Sequence, residues 1–320
     1  MSLASLFALI LSALSVTLPT FGWVVLGALL ARLGWLSPGL IDGFSRLAFR
    51  TALPLLLALG AAGVNLGALG GATYLLAGVL ATLVTLGGAW CWGRWRGLSP
   101  PDLGVFAQAA FRSNLAIVGI ALCHAAFGES GLRLAALPVA LLTALYNVLA
   151  VWLLQHTLGG DPSLRGVLRG LLRNPLLLGI LVGLAVSLSG VSLPPLAATV
   201  EGLLSRGFLP LMLVAIGGSL RLSALRHAGR LTWEATLWRL LIGPALGVVI
   251  ALLLGVRGEA LGVLFLLLAS PVAAASFVMV VALRGNGTLA ANIIVLTTLL
   301  SALSITAGFA LLALLGLVPA

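Results

Sequence analysis

The chain has 320 residues, of which 61% are hydrophobic and only 8% charged, with a net charge of +10. A soluble domain carries roughly 25% charged residues to solvate its surface, so a soluble enzyme or a secreted domain is excluded. The excess of base does not point to nucleic acid: every base is an arginine, and the arginines stand singly or in small groups between apolar runs, as they do on the cytoplasmic face of membrane proteins.

About 20 apolar residues cross the hydrocarbon of a bilayer, and such runs follow one another along the whole chain. The pattern predicts ten transmembrane helices. The first covers Leu3 to Leu33 and carries Pro19; the second covers Leu40 to Gly60 and the third Gly70 to Trp92. Gly104 to Ala126 and Gly131 to His156 follow, and then a polar, arginine-rich stretch with Asp161-Pro162. The second half supplies Pro175 to Ser189, Pro195 to Leu220, Leu231 to Gly255, Gly258 to Leu283 and Leu289 to Leu317. Cys91 and Cys123 fall in apolar segments without metal spacing and read as small buried hydrophobes. The N-terminal run has no basic n-region and reads as a helix, not as a signal peptide. No cofactor or metal site is expected.

The arginines alternate. Arg32, Arg94 and Arg96, Arg165, Arg169 and Arg173, Arg221, Arg226 and Arg230, and Arg284 follow the odd-numbered helices, whereas the even-numbered loops hold Arg133 and Arg257. By the positive-inside rule the odd loops are cytoplasmic and both termini lie outside. The absence of lysine fits a GC-rich bacterial genome, hence the bacterial cytoplasmic membrane as location.

A shift of 156 residues lays Pro19 on Pro175, Pro38 on Pro194 and Pro54 on Pro210, with Gly27 on Gly183, Gly34 on Gly190 and Arg50 on Arg206. The chain therefore reads as two five-helix repeats, 1–157 and 158–320. Five is odd, so the second copy enters the membrane inverted, an arrangement typical of secondary transporters.

In that architecture the site lies at mid-membrane, where broken helices cross. The fourth helix carries Gln108, Arg112, Ser113, Asn114 and Gly119 around its centre, and the 156-residue shift takes Asn114 to Ser270 beside Pro271 in the ninth. Helices four and nine are the expected crossing pair. A charge at bilayer depth is costly and normally paired. Yet Asp42, Asp102, Glu129, Asp161, Glu234 and Glu259 sit at or near helix ends, and Glu201 lies about five residues into the seventh helix. A positive centre without an internal counter-ion, helped by half-helix N-termini, implies an anionic substrate. The alternative is that Arg112 binds carbonyls freed at the break, or snorkels to an interface. The candidate substrate-binding residues are Arg112, Asn114, Tyr146, Asn147, Ser270, Pro271 and Ser276. Gln108, Ser113, Arg50 and Arg206 are weaker ones, the last two having stems long enough to reach an interface. Gly63-x-x-x-Gly67, Gly179-x-x-x-Gly183 and Gly243-x-x-x-Gly247 allow close helix packing.

Several ordered fragments resemble the auxin efflux carrier family over essentially the whole chain. They are Leu18-Pro19 through Gly27, Leu33-Gly34-Trp35-Leu36-Ser37, Ala52-Leu53-Pro54, Asn114 with Gly119, Phe127-Gly128-Glu129 and Tyr146-Asn147. Arg173-Asn174-Pro175, Leu209-Pro210-Leu211 with Gly217, and Pro271 complete the series. The resemblance implies ten helices and outside termini, with helices four and nine crossed. It also implies a scaffold of helices 1, 2, 6 and 7 beside a mobile bundle of helices 3–5 and 8–10, and organic anions as substrates. Asn114 and Asn147 match the family's substrate-lining asparagines. The family usually has a proline about seven residues after the fourth-helix asparagine; Ala121 stands there instead, which implies a less sharp bend.

The leading expectation is a secondary carrier of a small organic anion, working by alternating access with elevator-like motion. Such an architecture allows a homodimer through the scaffold. A sodium-coupled symporter similar to the bile-acid symporters is the alternative, with Ser113, Asn114 and Ser270 as oxygen donors. A passive channel would also accommodate repeats and a polar mid-depth; saturating flux at low turnover distinguishes the carrier. Gly128-Glu129-Ser130-Gly131 matches the serine motif of rhomboid-type proteases. Its only downstream histidine within a span is His156, about 25 residues on and therefore tens of ångströms away. Ser130 reads instead as a cap of the fifth helix.

Overall fold

The structure, a computed structural model, describes residues 3–62, 72–158, 175–191, 193–220 and 228–319. Gly63, Asn65, Gly67, Asp161, Pro162, Arg165, Arg169, Arg173, Asn174, Arg221 and Arg226 lie outside them.

Among the described residues the regular elements are all helices, with one isolated bridge. In chain order they form α1 (Leu3–Arg32), α2 (Pro38–Leu47), α3 (Leu53–Ala62), α4 (Ala72–Trp95), α5 (Pro100–Phe111) and α6 (Ile120–Leu158). Then come α7 (Pro175–Ser189), α8 (Pro195–Leu203), α9 (Leu209–Ser219), α10 (Arg230–Leu237) and α11 (Gly243–Leu253). Helices α12 (Gly258–Ala269), α13 (Ala275–Ala282) and α14 (Gly287–Leu314) complete the chain. Single wide π-turns at Ala48–Ala52, Leu204–Phe208 and Trp238–Ile242 splice α2 to α3, α8 to α9 and α10 to α11, and a fourth, Leu115–Gly119, leads into α6. Among the described residues six continuous helical stretches are long and apolar enough to cross a membrane, and shorter apolar helices lie beside them. The chain is a multi-pass membrane protein.

Sequence dictates the helix ends. Pro100 and Pro195 sit in the first turns of α5 and α8, where a missing N–H costs nothing. The Ser99 hydroxyl accepts from the Asp102 amide, and the Asn286 side chain accepts from the Leu289 amide. Gly128 breaks α6 with a φ of 58°, so the predicted fourth helix ends and the fifth begins there, not at Gly131.

Burial is that of a protein in lipid. Leu203, Leu253 and Trp35 are exposed, as residues facing lipid tails or headgroups would be. Trp35, Trp92, Trp95 and Trp233 stand exposed near helix ends, the pattern of an interfacial aromatic belt. Close backbone approach supplies much of the helix packing. A Cβ at Gly27 would strike the Val214 carbonyl, and one at Gly183 the Ala58 carbonyl, so α1 lies against α9 and α7 against α3. The packing anticipated for the Gly179 and Gly243 motifs is present as well: Gly179 abuts the Pro54 carbonyl, and Gly247 meets the Leu268 side chain.

Polar ties fasten the helix ends. Glu234 accepts from Arg96 at 2.8 Å, Arg230 at 2.9 Å and Trp92 at 3.3 Å, joining α4 to α10. Asn286 Nδ2 donates to Asp102 at 2.8 Å, tying α14 to α5, and Ser130 Oγ donates to Glu259 at 2.5 Å, tying α6 to α12. His156 lies at the other end of α6, stacked on Trp152 with centroids 5.7 Å apart.

Candidate functional site

Two helix breaks meet in the interior. Helix α5 ends at Phe111, because Arg112 (φ −84°, ψ 88°) and Asn114 (φ −81°, ψ 70°) leave helical geometry. Helix α12 ends at Ala269, where Ser270 turns to ψ 147° ahead of Pro271, which has no N–H to give. Such open backbone inside a membrane must be satisfied by protein, and the breaks satisfy one another. The Asn114 N–H donates to the Pro271 carbonyl at 2.7 Å, and the Ala273 N–H donates to the Arg112 carbonyl at 3.3 Å. The result is a one-rung antiparallel bridge between Ser113 and Val272. The Val272 N–H reaches Thr297 Oγ1 at 3.3 Å. Gly119 allows this approach: a Cβ there would lie 2.9 Å from the Leu267 side chain and 3.3 Å from Ser270 Oγ.

Arg112 is only 6% exposed. One end of its guanidinium donates to the Tyr146 carbonyl at 3.2 Å and the other to Asn147 Oδ1 at 2.9 Å. Its partners are thus on α6, not the carbonyls freed at the break. Ser113 Oγ lies 3.2 Å from the Tyr146 hydroxyl, and the Phe111 ring meets Tyr146 edge-on with centroids 5.5 Å apart. Among the described residues no carboxylate lies within ion-pair distance of Arg112, and the ion pairs found there are those of Glu234. A cavity of about 140 Å³ opens beside the guanidinium, lined by Arg112, Asn114, Thr143, Tyr146, Asn147 and Ala275, among others. Its walls offer a cation, amides and hydroxyls.

The structure thus brings Arg112, Ser113, Asn114, Tyr146 and Asn147 to one cavity, with the Pro271 carbonyl in the bridge behind it. Ser270 is fully buried and donates to the Leu266 carbonyl of its own helix at 2.8 Å. Ser276 is buried, with its hydroxyl unpartnered. Gln108 is buried, with its amide 4.0 Å from Met279 Sδ. Arg50 and Arg206 are exposed, each within a π-turn. Arg206 lines a separate cavity of about 380 Å³ with Glu129, Arg133 and Glu201.

Sequence reasoning missed Arg239. It is 1% exposed in the π-turn between α10 and α11, and its NH1 donates to the Ala110 carbonyl at 3.0 Å, at the end of α5. The available signal was a charge nine residues inside an apolar span that begins at Arg230.

Comparison with known proteins finds transporters. Residues 162–307 match a family described as membrane transport protein, which is that of the auxin efflux carriers. The chain is also similar to an uncharacterized transporter of Methanothermobacter thermautotrophicus (strain Delta H), 27% identical over 288 residues that cover 88% of this chain and 92% of the relative. Both are described as transport proteins, and the match bears out the resemblance read from the sequence.

Proposed function

We propose that this membrane transporter, matched to the auxin efflux carrier family, carries a small organic anion by alternating access through the cavity beside Arg112. The carrying observation is the buried Arg112 guanidinium, held by neutral groups alone and open to a small polar cavity at the meeting of two helix breaks. A buried cation without a counter-ion is a standing electrostatic cost that an anion relieves.

Ten spans in two inverted repeats are part of this reading. The shorter helices complete spans when the π-turns are counted as splices and α5 and α12 as the first halves of broken helices. Recurrence of detail supports the repeat. The π-turns Ala48–Ala52 and Leu204–Phe208 start 156 residues apart. The left-handed turn glycines Gly34 and Gly190 share that spacing. Past residue 72 the spacing is 158: Ala72 to Arg230, Gly97 to Gly255, and Pro100 to Gly258. The fixed shift of 156 read from the prolines therefore holds only early in each half, and at 158 the counterpart of Ser270 is Arg112, not Asn114. In this reading α1, α2, α3, α7, α8 and α9 form the scaffold, and the remaining helices form a bundle that slides against it.

The sodium-coupled alternative receives less support, because the hydroxyls it needs already have partners. Ser113 faces Tyr146, and Ser270 faces Leu266 of its own helix.

The test is a thermal-shift panel of malonate, succinate, indole-acetate and taurocholate on the purified protein in detergent. A ligand stabilises whatever state it binds, so one anion should raise the melting temperature of wild type and leave Arg112→Ala unmoved. Shifts by cations or neutral solutes alone would overturn the anion reading. Equal transport in sodium and choline would remove the sodium alternative.

A further inference from the structure

Arg239 lies roughly 14 Å along its span from Arg230, at 1.5 Å per residue, which puts it near mid-depth like Arg112. Its surroundings are mostly apolar. Phe111, Leu268 and Gly243 pack around it, and a residual gap of about 10 Å³ is bordered by Thr82 and Thr85. The Thr82 hydroxyl is turned to the Gly78 carbonyl at 2.9 Å. The guanidinium makes its bond to the Ala110 carbonyl, and its Nε has no partner. Among the described residues no carboxylate lies within ion-pair distance.

One backbone carbonyl needs one neutral donor. A buried guanidinium is an expensive way to supply it, because the charge must also be taken out of water. Arg239 is also adjacent to the site. Ala110, which it holds, precedes Arg112 by two residues. The crossing therefore carries two uncompensated positive charges, Arg112 facing the cavity and Arg239 behind the wall.

We infer that Arg239 determines specificity: as a second buried cation behind the Arg112 cavity, it makes the site prefer doubly over singly charged anions. It touches no substrate. It acts through its field, which is weakly screened in a low-dielectric interior. The inference rests on the anion-carrier reading above.

The test compares two three-carbon acids that differ in charge, malonate and propionate, by calorimetric titration of the purified protein at neutral pH. Wild type should bind malonate the more tightly. Arg239→Gln should reduce the malonate-to-propionate affinity ratio at least tenfold, mainly by loss of malonate affinity. Arg239→Lys keeps the charge and should keep the ratio within threefold. A structural role would weaken both acids alike, and that result in Arg239→Gln overturns the inference while leaving the anion carrier intact. If Arg239→Gln does not fold, a collapsed ratio in folded Arg239→Lys overturns it equally. Wild type that binds neither these acids nor any larger anion of the panel would sink the carrier reading, and the inference with it.

Discussion

Arg112 and Asn147 form the contact on which the proposed chemistry turns. Their bond is 2.9 Å long and neutral on the asparagine side. Replacing that amide by a carboxylate would supply the counter-ion the site lacks. Asn147→Asp should therefore lower anion affinity at least tenfold while the melting temperature stays level or rises, because a charged acceptor binds a buried guanidinium more strongly than an amide does. Titration of the variant beside wild type checks both. This cluster was legible in the sequence because Gln108, Arg112, Ser113 and Asn114 are polar at the centre of an apolar run, where polarity has no solvating task. Arg239 was less legible. It stands alone between Trp238 and Leu240, and only the folded chain places it against the end of α5.

At the scale of elements, glycines set how closely helices approach. Gly27 is pressed against the Val214 carbonyl, while Gly22 on the same helix has nothing within 4 Å of a built Cβ. Gly27→Ala should destabilise by on the order of 1–3 kcal/mol through backbone displacement. Gly22→Ala should stabilise by up to ~1 kcal/mol through helix propensity. Thermal unfolding in one detergent separates the two. The helix breaks after Phe111 and Ala269 were readable from Asn114 and Pro271, and the absence of proline at Ala121 did not prevent the first, because Arg112 to Asn114 leave the helix earlier. The π-turns carried a signal of their own: Pro54, Pro210 and Pro244 each stand two residues past the end of a π-turn, and a proline without an N–H leaves a carbonyl of the preceding turn unpaired.

For the whole molecule, alternating access requires one set of helices to move against another. The Thr17 and Thr306 hydroxyls face each other at 2.6 Å across the seam between α1 and α14, the proposed boundary of scaffold and bundle. With Cys91 and Cys123 replaced by alanine, a Thr17→Cys/Thr306→Cys pair should abolish transport in liposomes on oxidation and regain it on reduction. Transport that persists in the cross-linked protein would place the moving boundary elsewhere. The ties at the helix ends have a further consequence, for assembly. Asp102 of the first half is held by Asn286 of the second, and Glu259 of the second by Ser130 of the first. Each half thus fastens its broken helix to the other half's last long helix, and the bridge at Ser113 and Val272 joins the two broken helices to each other at the centre. Under the proposed inverted-repeat reading, neither half is a folding unit: each is one side of an exchanged pair, and a single-repeat ancestor could have closed these contacts only as two identical chains inserted in opposite directions.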